Sequence, residues 1–133
     1  MRQILYVDRA FAVIYAVSVE RSSLFYEQFG FQRFFQLPPE GEPGYIGLKR
    51  GASEFAIVSK DWPLDQFQLA MGEGPRFEMF IYVEDVDAAI ELQRGSGTTV
   101  LKDPKDMPWG ERIAYVADPD GNPVALATAP ADQ

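Results

Sequence analysis

The chain contains no cysteine and no histidine among its 133 residues. Without cysteine there is no disulfide framework and no thiol nucleophile. Without histidine, the commonest metal ligand and the commonest general acid–base are both missing. Ser-His-Asp and Cys-His mechanisms are therefore excluded. Basic residues are scarce as well: 12 Lys and Arg against 20 Asp and Glu leave a formal net charge of −8. That balance argues against nucleic-acid binding, whose electrostatic footprint is basic. It suits either plain solubility or the attraction of a cationic ligand. No apolar run reaches the length that crosses a bilayer, so no membrane partner is expected. Residues 1–8 lack the long apolar region and small-residue cleavage site of a secretory signal. A cytoplasmic location is the expectation.

What is present is ordinary globular composition, 47% hydrophobic and 24% charged, at a length that suits one domain over residues 1–133. Residues 1–10 carry little pattern and read as an extra strand or an arm. Residues 11–17 read as a strand, and Ser18 as the N-cap of a helix with Val19, Ser22, Phe25, Tyr26 and Phe29 on one face. Gly30 suits the C′ position that stops it. Strand character resumes over 31–37, and residues 45–49 and 54–58 form a hairpin around Gly51. Residues 60–75 are a linker punctuated by Pro63, Gly72, Gly74 and Pro75. Its Phe67, Leu69, Ala70 and Met71 suggest packing against the rest of the chain. The order then repeats: a strand over 76–83, a helix capped by Asp85 and carrying Val86, Ala89, Ile90 and Leu92, a strand over 98–102, and a closing hairpin.

The repeat is visible by position. Val19 to Ser22 match Val86 to Ala89 at an offset of 67, as does Ile46 with Ile113, whereas Phe55 to Val58 match Val124 to Ala127 at 69. The drift is assigned to the hairpin turn, where insertions are easily absorbed. The expected architecture is α+β: two βαβββ modules in tandem (about 9–59 and 76–128), forming a curved mixed sheet around a cleft with the helices on its outer face. Neither copy is large enough to bury its own sheet face, so the two are expected to share one. In the opening strands one alternating set is small or aliphatic: Ala12, Ile14, Ala16 and Met79, Ile81, Val83. The other is bulky or polar: Phe11, Val13, Tyr15 and Glu78, Phe80, Tyr82. Alternation puts the aliphatic set under the helices and turns the aromatic set into the concavity. That face is either a ligand pocket or a core shared with a second chain.

The last hairpin is entered through Pro108-Trp109-Gly110-Glu111-Arg112 and turns at Asp118-Pro119-Asp120-Gly121-Asn122, whose residue types each favour a turn. Trp109 sits at its rim beside an apparent Glu111–Arg112 pair, either as rim packing or as a stacking surface.

Taken together, Val19 to Tyr26 followed by Phe29-Gly30-Phe31, then Val86 to Ala89, the Pro-Trp-Gly-Glu-Arg run and the Asp-Pro-Asp-Gly-Asn turn make residues 9–128 resemble the vicinal oxygen chelate superfamily, the glyoxalase/bleomycin-resistance/dioxygenase group. The resemblance implies two βαβββ modules around a cleft, and a homodimer that in some members exchanges modules. It also implies a divalent metal held by the first and last strands of each module. Those positions fall here on Phe11, Glu78, Ala56 and Ala125, so a single carboxylate remains; no metal and no cofactor are expected. What remains resembles the bleomycin-resistance-type branch, which sequesters a toxic aromatic natural product without reaction. The expected cleft residues are Phe11, Tyr15, Trp62, Glu78, Phe80, Tyr82 and Trp109, with Arg112 as a further member. Glu78 is expected either to orient a ligand from the cleft floor or to pair with Arg112 or Arg76. The alternative is an enzyme of the same superfamily, a lyase, isomerase or dioxygenase with an atypical or absent metal site and Glu78 as general base.

Overall fold

Short strands and capped helices follow one another twice in the computed structural model, which describes residues 9–130. The order is β1 (Ala12–Ala16), α1 (Val19–Glu27), β2 (Gln32–Leu37), β3 (Tyr45–Arg50), β4 (Ser53–Ser59), α2 (Trp62–Phe67), β5 (Met79–Tyr82), α3 (Val86–Gly95), β6 (Val100–Asp106), β7 (Arg112–Ala117) and β8 (Pro123–Thr128). Residues 1–8, where an extra strand or arm is expected, lie outside the described residues. Both long helices start for the expected reason. The Ser18 hydroxyl accepts from Arg21 N–H at 3.1 Å, and the Asp85 carboxylate from Ala88 N–H at 3.2 Å. Gly30 adopts φ +92° just past α1, two residues beyond the C-cap Gln28 rather than at C′. No helix among the described residues is long and apolar enough to cross a membrane.

The strands form two four-stranded mixed sheets, ordered β1-β4-β3-β2 and β5-β8-β7-β6, so the architecture is α+β with tandem βαβββ modules. In each, the opening strand runs parallel to the closing one and the rest are antiparallel. The aliphatic sets take their expected place: Ile14, Ala16 and Ile81 are buried on the helix side, with Met79 and Val83 packed against them. One hydrophobic core, containing Tyr26, Ile46, Leu48 and Ile57 from the first module and Ile90, Val116, Val124 and Leu126 from the second, joins the two helix-side faces. The shared face is therefore the helix side, and the aromatic faces stay open: Phe11, Val13, Phe80 and Tyr82 are exposed.

Polar ties reinforce this junction. The buried Asp118 accepts the Tyr26 hydroxyl at 2.7 Å across the modules, while its other oxygen takes the N–H groups of Asp120 and Asn122. Burial first, and the Asp118 charge second, hold the Tyr26 phenol far above its usual range. Asp120 accepts Val17 N–H at 2.9 Å, and Arg50 donates to the Tyr82 carbonyl at 2.7 Å. The turn read as Asp-Pro-Asp-Gly-Asn is thus a structural clasp.

Three element limits differ from expectation. The linker contains α2, whose start carries Pro63, a residue suited to a first turn. β5 begins three residues late because Arg76 is engaged as a loop anchor; its N–H donates to Asn122 and its guanidinium to the carbonyls of Gly72, Gly74 and Asp120. β6 starts later and runs through Pro104, which an edge strand with bulges tolerates.

Those bulges also correct the repeat. Val13 pairs with Ala56 and Phe80 with Ala125, giving the offsets of 67 and 69. But Ala56 pairs with Gly47 and Ala125 with Tyr115, so β3 and β7 correspond at 68. One extra residue lies in the second β6 irregularity, between Lys102 and Lys105, and the other in the hairpin turn. Ile46 therefore corresponds to Ala114, not Ile113. A slip of one residue exchanges the faces of a strand, and it decides where Arg112 points.

Candidate functional site: two open aromatic faces

On the second sheet, Phe80 lies opposite Ala125 and Tyr82 opposite Ala127. The small residues of β8 form a low floor beside which the two β5 rings stand, 5.4 Å apart and inclined at 50°. The turn from β6 to β7 approaches the same edge. Met107 N–H donates to the Glu111 carbonyl at 2.8 Å and Gly110 N–H to the Met107 carbonyl at 3.0 Å. Gly110 has φ +101°, and a Cβ there would lie 3.1 Å from the Pro130 ring, so glycine is required twice over. This bend aims the Trp109 indole N–H at one Glu111 oxygen, 2.7 Å away, while the other accepts the Tyr82 hydroxyl at 2.5 Å. Glu111 thereby ties Trp109, 64% exposed, to the β5 aromatics. Its hydrogen bond is the main reason the Tyr82 phenol titrates above its ordinary value.

On the first sheet Phe11, Val13 and Tyr15 share the open face of β1, next to Ala56 and Val58. Arg9 lies over the Phe11 ring at 5.2 Å and forms a two-pronged pair with Glu54, at 2.7 and 3.1 Å. That bond draws the Glu54 carboxyl below its usual range. Gly47 leaves room for the Phe34 ring, whose atoms would sit 3.0 Å from a Cβ, and Lys49 lies 4.4 Å from the centre of the same ring. Further along, Phe35 meets Tyr45 edge-on at 5.6 Å and Tyr45 meets Trp62 at 6.4 Å.

The structure thus brings Phe80, Tyr82 and Trp109 together on one face, and Phe11 and Tyr15 on another. Trp62 sits on α2 at the Tyr45 end of the first sheet. A cavity of about 390 Å³ between the modules joins Phe80 and Tyr82 to Ala12, Phe31, Arg50 and Glu54. Glu78 is exposed, not at a buried floor, and pairs with neither Arg76 nor Arg112. It lies near Tyr115, whose phenol is raised by burial and then by the Glu78 charge. Arg112 is not a cleft residue. It alternates with Ala114 and Val116 of the shared core and grips Asp87 of α3 at 2.8 and 3.0 Å and Asp106 at 3.1 Å. The apparent Glu111–Arg112 pair is likewise replaced by separate partners. Sequence reasoning missed Tyr45, Phe34 and Phe35; alternation along β3 signals Tyr45, whereas the bulge between Arg33 and Phe35 conceals the facing of β2.

The four positions that would supply metal ligands offer Phe11, Ala56, Glu78 and Ala125, three of which have no donor side chain. Among the described residues, no group of three or more carboxylates, histidines or cysteines converges. The donor set does not fit a divalent metal.

The fold agrees with the family comparison. The model of the Glyoxalase/Bleomycin resistance protein/Dioxygenase superfamily matches residues 8–126, and the chain belongs to that superfamily. Among curated proteins, none matches the sequence. Similar solved structures include TioX from Micromonospora sp. ML1, at 18% identity over 92% of this chain and 98% of that one, TM-score 0.72. Lactoylglutathione lyase from Agrobacterium tumefaciens is 18% identical over 92% and 94%, TM-score 0.66. A superfamily member from Sphaerobacter thermophilus DSM 20745 is 25% identical over 94% and 98%, TM-score 0.69. TioX and a lactoylglutathione lyase both share the fold, so likeness of fold does not choose a function.

Proposed function

We propose that this protein sequesters an aromatic small molecule of antibiotic type, with a cationic substituent favoured, and releases it unchanged, in the manner of the bleomycin-resistance branch. The observation that carries this reading is the Phe80–Tyr82–Trp109 group with Glu111 hydrogen-bonded to two of its members. Exposed rings held in fixed orientations suit stacking, which contributes about 0.5–1.5 kcal/mol per ring pair beyond area burial. The face offers a flat ligand hydrophobic contact and offers a divalent metal almost no donors. The net charge of −8 favours a cation over an anion in the encounter. The same reading takes the protein as a homodimer whose open faces meet around the ligand, with exchange of modules as one way to close it; sedimentation equilibrium tests the stoichiometry.

The test is titration with bleomycin and with a panel of flat aromatic antibiotics, followed by intrinsic fluorescence and thermal denaturation. A saturable response with the ligand recovered intact supports sequestration. Phe80→Ala or Trp109→Ala should weaken binding about tenfold, with the far-ultraviolet circular dichroism and melting temperature retained. Conversion of the ligand would instead establish the enzymatic alternative, and unfolding of both variants would make these rings structural.

A further inference from the structure

α2 builds a second feature that the internal repeat does not duplicate. Between this helix and the β2–β3 connection lies a groove of about 310 Å³, lined mainly by apolar atoms of Leu37, Pro38, Tyr45 and Trp62. Two carboxylates, Asp61 and Asp65, border the same groove. Asp61 occupies the N-cap position of α2, yet its side chain makes no capping hydrogen bond. Its only ion pair among the described residues is an exposed contact with the adjacent Lys60 at 3.3 Å. Asp65 forms no ion pair among them. The Tyr45 and Trp62 rings are inclined at 61°, making an aromatic corner with acidic residues at its edge. In the second module the position of Tyr45 is held by Ile113, by the register of the paired strands, so the corner belongs to the first module alone.

We propose that this groove is a recognition subsite for an alkylated ammonium group. Indole is the best aromatic partner for a cation, and a quaternary or tertiary ammonium is weakly hydrated enough to enter an apolar corner. A primary ammonium would lose strong hydration for which the apolar lining offers little replacement, and an anion would face Asp61 and Asp65. A neutral alkyl group would gain the same contact area but neither the ring attraction nor the carboxylates' field. The inference rests on the ligand-binding reading above, to which it adds a place for the cationic part of the molecule.

Choline and its uncharged isostere 3,3-dimethyl-1-butanol form the test, titrated into the full chain labelled with ¹⁵N. Trp62 and Trp109 are the two tryptophans, so two indole N–H signals report on the two faces, assigned with Trp62→Phe. Choline should shift the Trp62 signal saturably and leave that of Trp109 in place. The isostere should bind about tenfold more weakly. Asp61→Asn combined with Asp65→Asn changes only exposed side chains and should weaken choline several-fold while reducing its salt dependence. Tyr45→Leu should weaken it too, with an unchanged melting temperature as the folding control. Equal binding of the two probes, indifference to the paired Asn substitutions, or no saturable shift would each overturn the subsite. If choline binds while no aromatic compound does, the groove stands and sequestration falls. If aromatic ligands act on Trp109 while choline fails, the reverse holds.

Discussion

The two modules have nearly the same backbone and present different open faces. At corresponding positions of the central strands, the first has Gly47 and the second Tyr115. The glycine does not leave a void: the Phe34 ring folds in from the bulged β2 and is covered by Lys49. One face thus builds its aromatic surface from a neighbouring strand and the other from its own central strand. Their rims differ as well. α2 adds an acidic, apolar corner to the first module, and Glu111 cross-links Tyr82 and Trp109 in the second. Duplication supplies two similar four-stranded frames, and side-chain choice and the loops then give each its own chemistry.

The sharpest way to break the comparison is at the clasp. Asp118→Ala leaves the Tyr26 hydroxyl and the N–H groups of Asp120 and Asn122 without their acceptor, and the first-module hairpin, turning at Gly51 and Ala52, has no equivalent carboxylate. A loss of about 4 kcal/mol is expected, measured by urea denaturation; Tyr26→Phe should cost about 1–2 kcal/mol. Next, Gly47→Ala drives a Cβ against the Phe34 ring. Because that ring is exposed and can swing aside, the cost should be about 1 kcal/mol, with the Phe34 ring proton shifts moving towards random-coil values. A fourth substitution should act in the opposite direction. The Ser22 hydroxyl is buried without a partner among the described residues, and α3 carries Ala89 at the equivalent place. Ser22→Ala should therefore raise stability by about 0.5–1 kcal/mol.

The smallest effect is one of pH. Burial raises the Asp120 carboxyl above its ordinary range, despite the Val17 N–H that favours its charge. The folded chain thus holds this proton more tightly than the unfolded chain. The group's contribution is fully present below its unfolded pKa and is lost as pH rises through the folded value. Asp120→Asn keeps an acceptor for Val17 and removes the titration, so its stability relative to the parent should rise as pH increases from below the ordinary carboxyl value of about 4 through the raised folded value. Glu20, Glu54 and Asp87 act oppositely: Arg33, Arg9 and Arg112 respectively lower their carboxyls, so those contributions fade as pH falls through the lowered values. A denaturation series across that range, run on parent and variant together, separates the two classes.

Much of the architecture was legible because it is local. Ser18 and Asp85 mark helix starts through side chains that reach only three residues ahead. The alternation in β1 and β5 sorted helix-side from open-side residues because the strand period is two. Arg112, expected as a further cleft residue, instead reaches Asp87 of α3 for an equally physical reason. A bulge adds one residue without a composition signal, and one residue inverts every side chain that follows. α2 was hidden in a stretch read as a linker; its Trp62-Pro63 start was the available sign.

The sequence by itself determined that there is a repeat, the facing of β1 and β5, the helix starts and the absence of histidine and cysteine, since each depends on residue identity and short spacing. Only the tertiary structure decided that the modules join through their helix-side faces, that Glu111 serves Trp109 and Tyr82 instead of Arg112, and that Trp62 meets Tyr45. Those outcomes depend on register and on contacts between distant segments. There the free-energy differences come from which surfaces meet, and local patterns are compatible with more than one answer.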